Sequence, residues 1–277
     1  MQPIQIGAAL MVADLPRYRD WLIAGQRDLE IQDFLLPGVL TGDWQARVDA
    51  AKARLDGFTG RLGIHGPFID MTLDMADVEI APIVARRLET GVAAAAALGA
   101  TQMVIHSPFT TWDWFNLGNN PRQGDTPSDF EAKIARVAAL LAPAIARAEG
   151  EGVTLVIENI EDIDPAQRRL LAQGLGSDAV RLSIDTGHAH YAHHATGAPP
   201  VDYFIHDAGA MLDHIHLQDA DGFADRHWPP GRGTVNWHAV FAAIATLPQR
   251  PHLVLELRDS ADIPAAMDWL ERQGLAC

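Results

Sequence analysis

The chain has 277 residues and a mass of 30.1 kDa, 48% hydrophobic and 21% charged, enough for one large α/β domain or two small ones. Lys+Arg total 21 against 36 Asp+Glu, a net charge of −15 with an isoelectric point near 5.1, so nucleic-acid binding is disfavoured. Cys277 is the one cysteine, which excludes an intrachain disulfide and a thiolate metal site. The opening segment lacks the basic region and cleavage pattern of a signal peptide, and the richest apolar run, residues 91–100, is far short of a membrane span. The expectation is a cytoplasmic protein with no membrane partner. Its oligomeric state is left open.

In chain order, β-rich runs occur at Ile4–Ala8, Leu29–Phe34, Arg61–His65, Gln102–His106, Val153–Glu158, Val180–Asp185, His214–Leu217 and His252–Glu256. Helical periodicity lies between them at Asp43–Asp56, Asp77–Leu98, Pro127–Glu149, Trp237–Thr246 and Ile263–Arg272. Strands alternating with helices imply parallel βαβ units, and eight strands in this length predict a (β/α)8 TIM barrel covering residues 1–277 as one domain. A doubly wound open sheet would carry a glycine fingerprint after its first strand, and Gly7-Ala8-Ala9-Leu10 has none. Two stretches read as long loops. Ser107–Thr126 holds Trp112, Trp114 and Phe115, and Asp219–Val235 holds Trp228 and the run PPGRG.

The strand ends carry the chemistry. In a parallel barrel the active site forms at the C-terminal ends of the strands, and strands three to eight end in His65, His106, Glu158, Asp185, His216 and Glu256. Side chains alternate along a strand, so all six can face the barrel mouth. With Asp+Glu at 36 and His at 12 of 277 residues, such a run arises by chance with probability about 0.006. Converging carboxylates without cations are too costly in a low dielectric, whereas Zn²⁺ and Mn²⁺ accept mixed His/Asp/Glu ligands. Asp185-Thr-Gly-His188 adds an imidazole beyond strand six, and Asp225-Arg-His227 presents two ligands on one side of a loop. The other histidines read blandly: His190, His193 and His194 as exposed loop residues, His214 as a satisfied core residue, His206, His238 and His252 as helix or strand-start residues.

The strings IHGPF, VIHSPF, VIENIED, SIDTGHAH, HIHLQDADGFADRHWPPGRGTVNW and LVLELRD resemble the xylose-isomerase-like TIM-barrel superfamily of sugar-phosphate isomerases and epimerases and endonuclease IV. The resemblance spans Ile4 to Arg258. It implies that Glu158, Asp185, His216 and Glu256 hold one divalent metal, as in ketose epimerases. It also matches His65, His106, His188, Asp225 and His227 to the further ligands of the three-metal nucleases. The chain departs from the nuclease after His65, where GPFIDMTLDMADVE replaces a Tyr-bearing DNA loop, and at Gly187, where the nuclease has cysteine. It departs from ketose epimerases in that Gln218–Phe223 offers no arginine, which leaves Arg226 or Arg232 to serve.

The resemblance therefore implies an isomerase or epimerase that uses Mn²⁺ or Zn²⁺, one to three ions per chain, and moves a proton through a metal-stabilised enediolate. Glu158 and Glu256 would act as base and acid, with His188, Trp112, Trp114, Trp228, Arg226 and Arg232 binding a sugar-like small molecule. The alternative is a multi-zinc phosphodiesterase of the apurinic-site nuclease type. Asp70, Asp74, Asp77 and Glu79 border the mouth, and their charge weighs against a duplex substrate.

Overall fold

A computed structural model describes residues 4–117 and 128–277. Eight parallel strands, β1 (Gly7–Leu10), β2 (Leu29–Ile31), β3 (Leu62–His65), β4 (Gln102–His106), β5 (Thr154–Glu158), β6 (Val180–Asp185), β7 (Leu212–Leu217) and β8 (His252–Leu255), close into a barrel in chain order. The helices around it are α1 (Leu15–Gly25), α2 (Pro37–Thr41), α3 (Trp44–Arg54), α4 (Ala81–Leu98), α5 (Thr111–Leu117), α6 (Ser128–Glu151), α7 (Pro165–Gly174), α8 (Thr186–Thr196), α9 (Val201–Ala208), α10 (Trp237–Ile244) and α11 (Ile263–Arg272). The expected (β/α)8 barrel is what forms.

Strand alternation divides the barrel into two layers of different chemistry. Ile64, Met103, Ile105, Leu155, Ile157, Ile184, Ile215 and Leu253 point outward and join one apolar core with the helices. The alternate positions point inward. There Val104, Val156 and Val254 are buried outside that core, and the ladder sets His106 beside Glu158, Asp185 beside His216, and Ser183 beside His214. A register shift between Leu182 and Ser183 accommodates the early start of β7 at Leu212, two residues before the predicted His214. The first strand begins later than predicted, because Ile4 is drawn into an isolated bridge with Ala276.

Two other expectations are corrected. The stretch Ser107–Thr126 is not wholly loop, since Thr111–Leu117 is helical, with Asp113 N bonded to Thr110 Oγ1; residues 118–126 and Pro127 lie outside the described residues. His190, His193 and His194 are not loop residues but stand on α8. Asp185 starts that helix by accepting from His188 N at 2.7 Å, and Gly197 ends it with φ 79°. His190 is 6% exposed and bonded to Thr234 Oγ1, His193 is half-buried against Ala198 O, and only His194 is exposed.

Candidate metal centre

Asp185 shows how local structure builds the site. Its Oδ1 caps α8 and accepts from Gln218 Nε2 at 2.9 Å, while Asn159 Oδ1 accepts from its backbone N–H. Its Oδ2 is buried and has no hydrogen-bond partner. Glu158, 1% exposed at the end of β5, is in the same condition: Oε1 lies 2.7 Å from His216 Nδ1, and Oε2 lacks a hydrogen bond. Both oxygens are buried without a hydrogen bond, Glu158 Oε2 standing 3.7 Å from His65 Nε2 and 3.6 Å from His106 Nε2, and buried carboxylate oxygens in that condition are costly unless a cation meets them.

The ligand-type atoms gather in four groups among the described residues, a deeper one of Glu30, His214 and His216 and three that hold the residues singled out from the sequence. Of these three, Glu158, Asp185, His216 and Glu256 form one, His65, His106 and Glu158 a second, and His188, Asp225 and His227 a third, with the atoms of each within 4.8 Å of one another. Glu158 belongs to two of them. This donor set fits divalent zinc or manganese, and all nine residues singled out from the sequence take part. His227 has φ 49°, a left-handed conformation uncommon for a side chain of its size. It is held there by its N–H, which donates to Gln218 Oε1, and by its carbonyl, which accepts from Arg258 N.

Electrostatics follow from the packing. Burial opposes charge on every group here, yet His216 pulls Glu158 well below the usual carboxylate range, whereas burial dominates at Asp185 and raises it. Burial also works against imidazolium, but Glu256, Glu30 and Glu158 raise His216 well above its ordinary value, and Asp185 and Asp225 do the same for His188. The hydrogen bond to Asp225 and the charge of Glu256 overcome burial at His227 and lift it to about 9. At His106 burial wins, and the imidazole falls to about 3.

Above these groups lies a cavity of about 570 Å³, walled by Leu35, Phe68, Ile160 and Leu257 and floored by His65, His106, Glu158, His188 and Glu256, with Asp225, His227, Gln32 and Arg258 at its sides. Trp112, Trp114, Trp228, Arg226 and Arg232 are not among the lining residues. Trp112 and Trp114 are 64% and 42% exposed on α5. Arg226 pairs with Asp221 at 2.9 Å and, like Arg232, lies over the Trp228 ring. Of the four acids after β3, Asp74 is matched by Lys133 and Arg136, and Asp77 accepts from the backbone N–H groups of Glu79 and Ile80, so Asp74 contributes little free negative charge.

Sequence reasoning missed a supporting layer. Glu30 on β2 is 2% exposed and lies 3.1 Å from His216 Nε2, which leaves Nδ1 turned toward Glu158 and Glu256. His214, read as a satisfied core histidine, bonds Ser183 Oγ at 2.8 Å and faces Glu30 at 3.3 Å. Gln32 Nε2 donates to Glu256 Oε1 at 2.6 Å. The Gln218 amide donates to both Asp185 and Asp225 and so joins two of the groups.

No helix among the described residues is long and apolar enough to cross a membrane. An uncharacterized protein of Mycobacterium leprae is 28% identical over 72% of this chain and 70% of its own length. The TTHB071 protein of Thermus thermophilus, in a crystal soaked with zinc chloride, superposes with a TM-score of 0.72 at 26% identity and 97% coverage of both chains. A D-psicose 3-epimerase from Clostridium cellulolyticum H10, with D-tagatose, has the same fold at a TM-score of 0.71 and 16% identity, covering 98% of this chain and 100% of that one. Residues 37–273 match the sequence profile of the xylose isomerase-like TIM barrel, and the chain belongs to that family.

Proposed function

We propose that this protein is a divalent-metal-dependent isomerase or epimerase of a sugar or sugar derivative. The observation that carries the reading is the buried quartet Glu158, Asp185, His216 and Glu256, with two buried carboxylate oxygens that make no hydrogen bond, reached through Glu158 and Glu256 from a cavity sized for a small molecule. Glu158, Asp185, His216 and Glu256 would hold an ion, which would supply positive charge to polarise a substrate carbonyl and favour loss of the proton on the adjacent carbon. The chain's own groups do the rest. The Glu158 carboxylate accepts the proton, and Glu256, the residue after β8, returns a proton from the other side. His188, whose Nδ1 is hydrogen-bonded to Asn159 O, holds a substrate hydroxyl, while Phe68 and Leu257 cover apolar carbon and exclude water.

The test is solvent-deuterium exchange. Metal-loaded enzyme should incorporate deuterium next to the carbonyl of a ketose or keto-sugar derivative, and Glu158→Gln should lower both metal content and exchange. Unchanged metal content in Asp185→Ala would remove the assignment of the quartet.

A second reading rests on the group of His65, His106 and Glu158 and that of His188, Asp225 and His227. Nine ligand-type residues in three adjoining sets exceed what a one-ion epimerase needs, and they favour a multi-zinc phosphodiesterase. Three zinc ions per chain by elemental analysis, with cleavage of abasic-site DNA and no ketose exchange, would establish that reading in place of the first.

A further inference from the structure

Thirteen residues line the mouth, and Arg258 is the one Lys or Arg among them. It stands two residues beyond Glu256 and is exposed. Its backbone N–H donates to His227 O, and its Nε donates to Arg226 O at 3.4 Å, so the side chain is tethered along the Asp225–His227 segment. No carboxylate is paired with it among the described residues, which leaves the outer nitrogens of the guanidinium free. The arginines nearby differ. Arg226 spends its charge on Asp221 and lies over Phe223 and Trp228, and Arg232 lies over Trp228. An unpaired guanidinium on a small cavity that Phe68 and Ile160 also line is a fork suited to a planar carboxylate or a phosphate monoester.

We propose that Arg258 is the specificity residue for an anionic group on the substrate, so that the ligand of this mouth is a phosphorylated or carboxylated sugar derivative and not a neutral sugar. The proposal rests on the sugar-type reading of the site only for the carbon skeleton; the anion contact follows from Arg258 itself. The rest of the mouth is rich in acids, so an anion bound away from Arg258 would face Asp225 or Glu256, and its orientation is thereby fixed.

Calorimetric titration of the full-length, zinc-loaded protein with three probes tests this: a ketopentose 5-phosphate, the corresponding neutral ketopentose, and a ketohexonate. The expected result is at least tenfold tighter binding of one anionic probe than of the neutral sugar. A preference for the phosphate alone identifies a phosphate monoester, and a preference for the hexonate alone identifies a carboxylate. Arg258→Gln should abolish the preference, Arg258→Lys should retain part of it, and Arg232→Gln should leave it intact. Zinc content of Arg258→Gln should equal that of the parent, which separates loss of anion recognition from loss of the metal centre. Equal binding of neutral and anionic probes, or a preference that survives in Arg258→Gln, overturns the proposal. Failure of the sugar reading would look different: no probe would exchange its proton with solvent, while the Arg258-dependent preference for anions remained.

Discussion

At the scale of single residues, the site depends on groups that have no catalytic signature of their own. A Cβ on Gly187 would lie 2.2 Å from the side-chain amide of Gln218, so glycine at this position is what lets that amide sit between Asp185 and Asp225. The clashing atoms are the tip of a flexible side chain, so Gly187→Ala should fold and displace the amide. The expected cost is a 10- to 100-fold loss of zinc affinity, roughly what losing an outer-shell partner costs, read by competition with a chelator. Gln218→Ala should match it, and unchanged affinity in both variants would show that the amide positions nothing. None of this is legible in the sequence, because an amide is neither a metal ligand of choice nor an acid or base. Glu30 is hidden for another reason: it sits inside β2, while the ligand pattern runs along the strand ends. The ligands themselves are legible because strand alternation and strand ends are both sequence properties. His, Asp and Glu at six successive ends are too many for chance and too charged for a core.

At the scale of elements, buried charges tie the loops to the strands. Arg168 on α7 is 1% exposed; it donates to the carbonyls of Ile157 at 2.9 Å and of Ser183, and pairs with Asp162 at 3.2 Å. Asp162 also accepts from Ser107 Oγ and Ile160 N, which locks the segments after β4 and β5 together beneath the mouth. Arg168→Met should cost about 3–5 kcal/mol in urea unfolding, because Asp162 is left buried and unpaired. The double variant with Asp162→Leu should recover much of that loss; a double variant as unstable as the single one would place the cost elsewhere. Asp219 does the same work for the following loop, accepting from Gly231 N, Val235 N and Trp237 Nε1. Gly233 is required there, since its Cβ would lie 2.2 Å from Ala220 O. The strands were legible to within a few residues because both barrel faces are buried and β-branched runs mark them. α1 and α8 were not. α1 carries only Leu15, Tyr18 and Leu22 as its buried stripe, and α8 is histidine-rich, its start set by a carboxylate that reads first as a ligand.

At the scale of the whole molecule, ligand groups drawn from β3 to β7, from α8, from the loop after β7 and from the residue after β8 make stability depend on pH and on metal together. In the metal-free protein, burial lowers His106 and His252 to about 3, so stability from these two rises with pH from about 3 toward their unfolded value of 6.5. The carboxylates around His65, His188, His216 and His227 overcome burial and raise all four, with His227 at about 9. Stability from a raised group is fully present below the unfolded pKa of about 6.5 and is lost as pH climbs through the folded value. Metal-free protein should therefore have its highest Tm near pH 6.5 and lose stability toward pH 9. Metal reverses the upper arm, because zinc or manganese needs neutral imidazoles and displaces those protons, so affinity rises over the same interval. Ion at a hundred times its Kd adds about 2.7 kcal/mol, which for a chain of this length raises Tm by about 5 °C. That increment should be larger at pH 8 than at pH 6.5 at equal free ion, and unbuffered titration should release protons on loading. A metal-free Tm that climbs steadily from pH 6.5 to 9, or an ion-induced rise that shrinks over that range, would mean that these histidines are neutral before metal arrives.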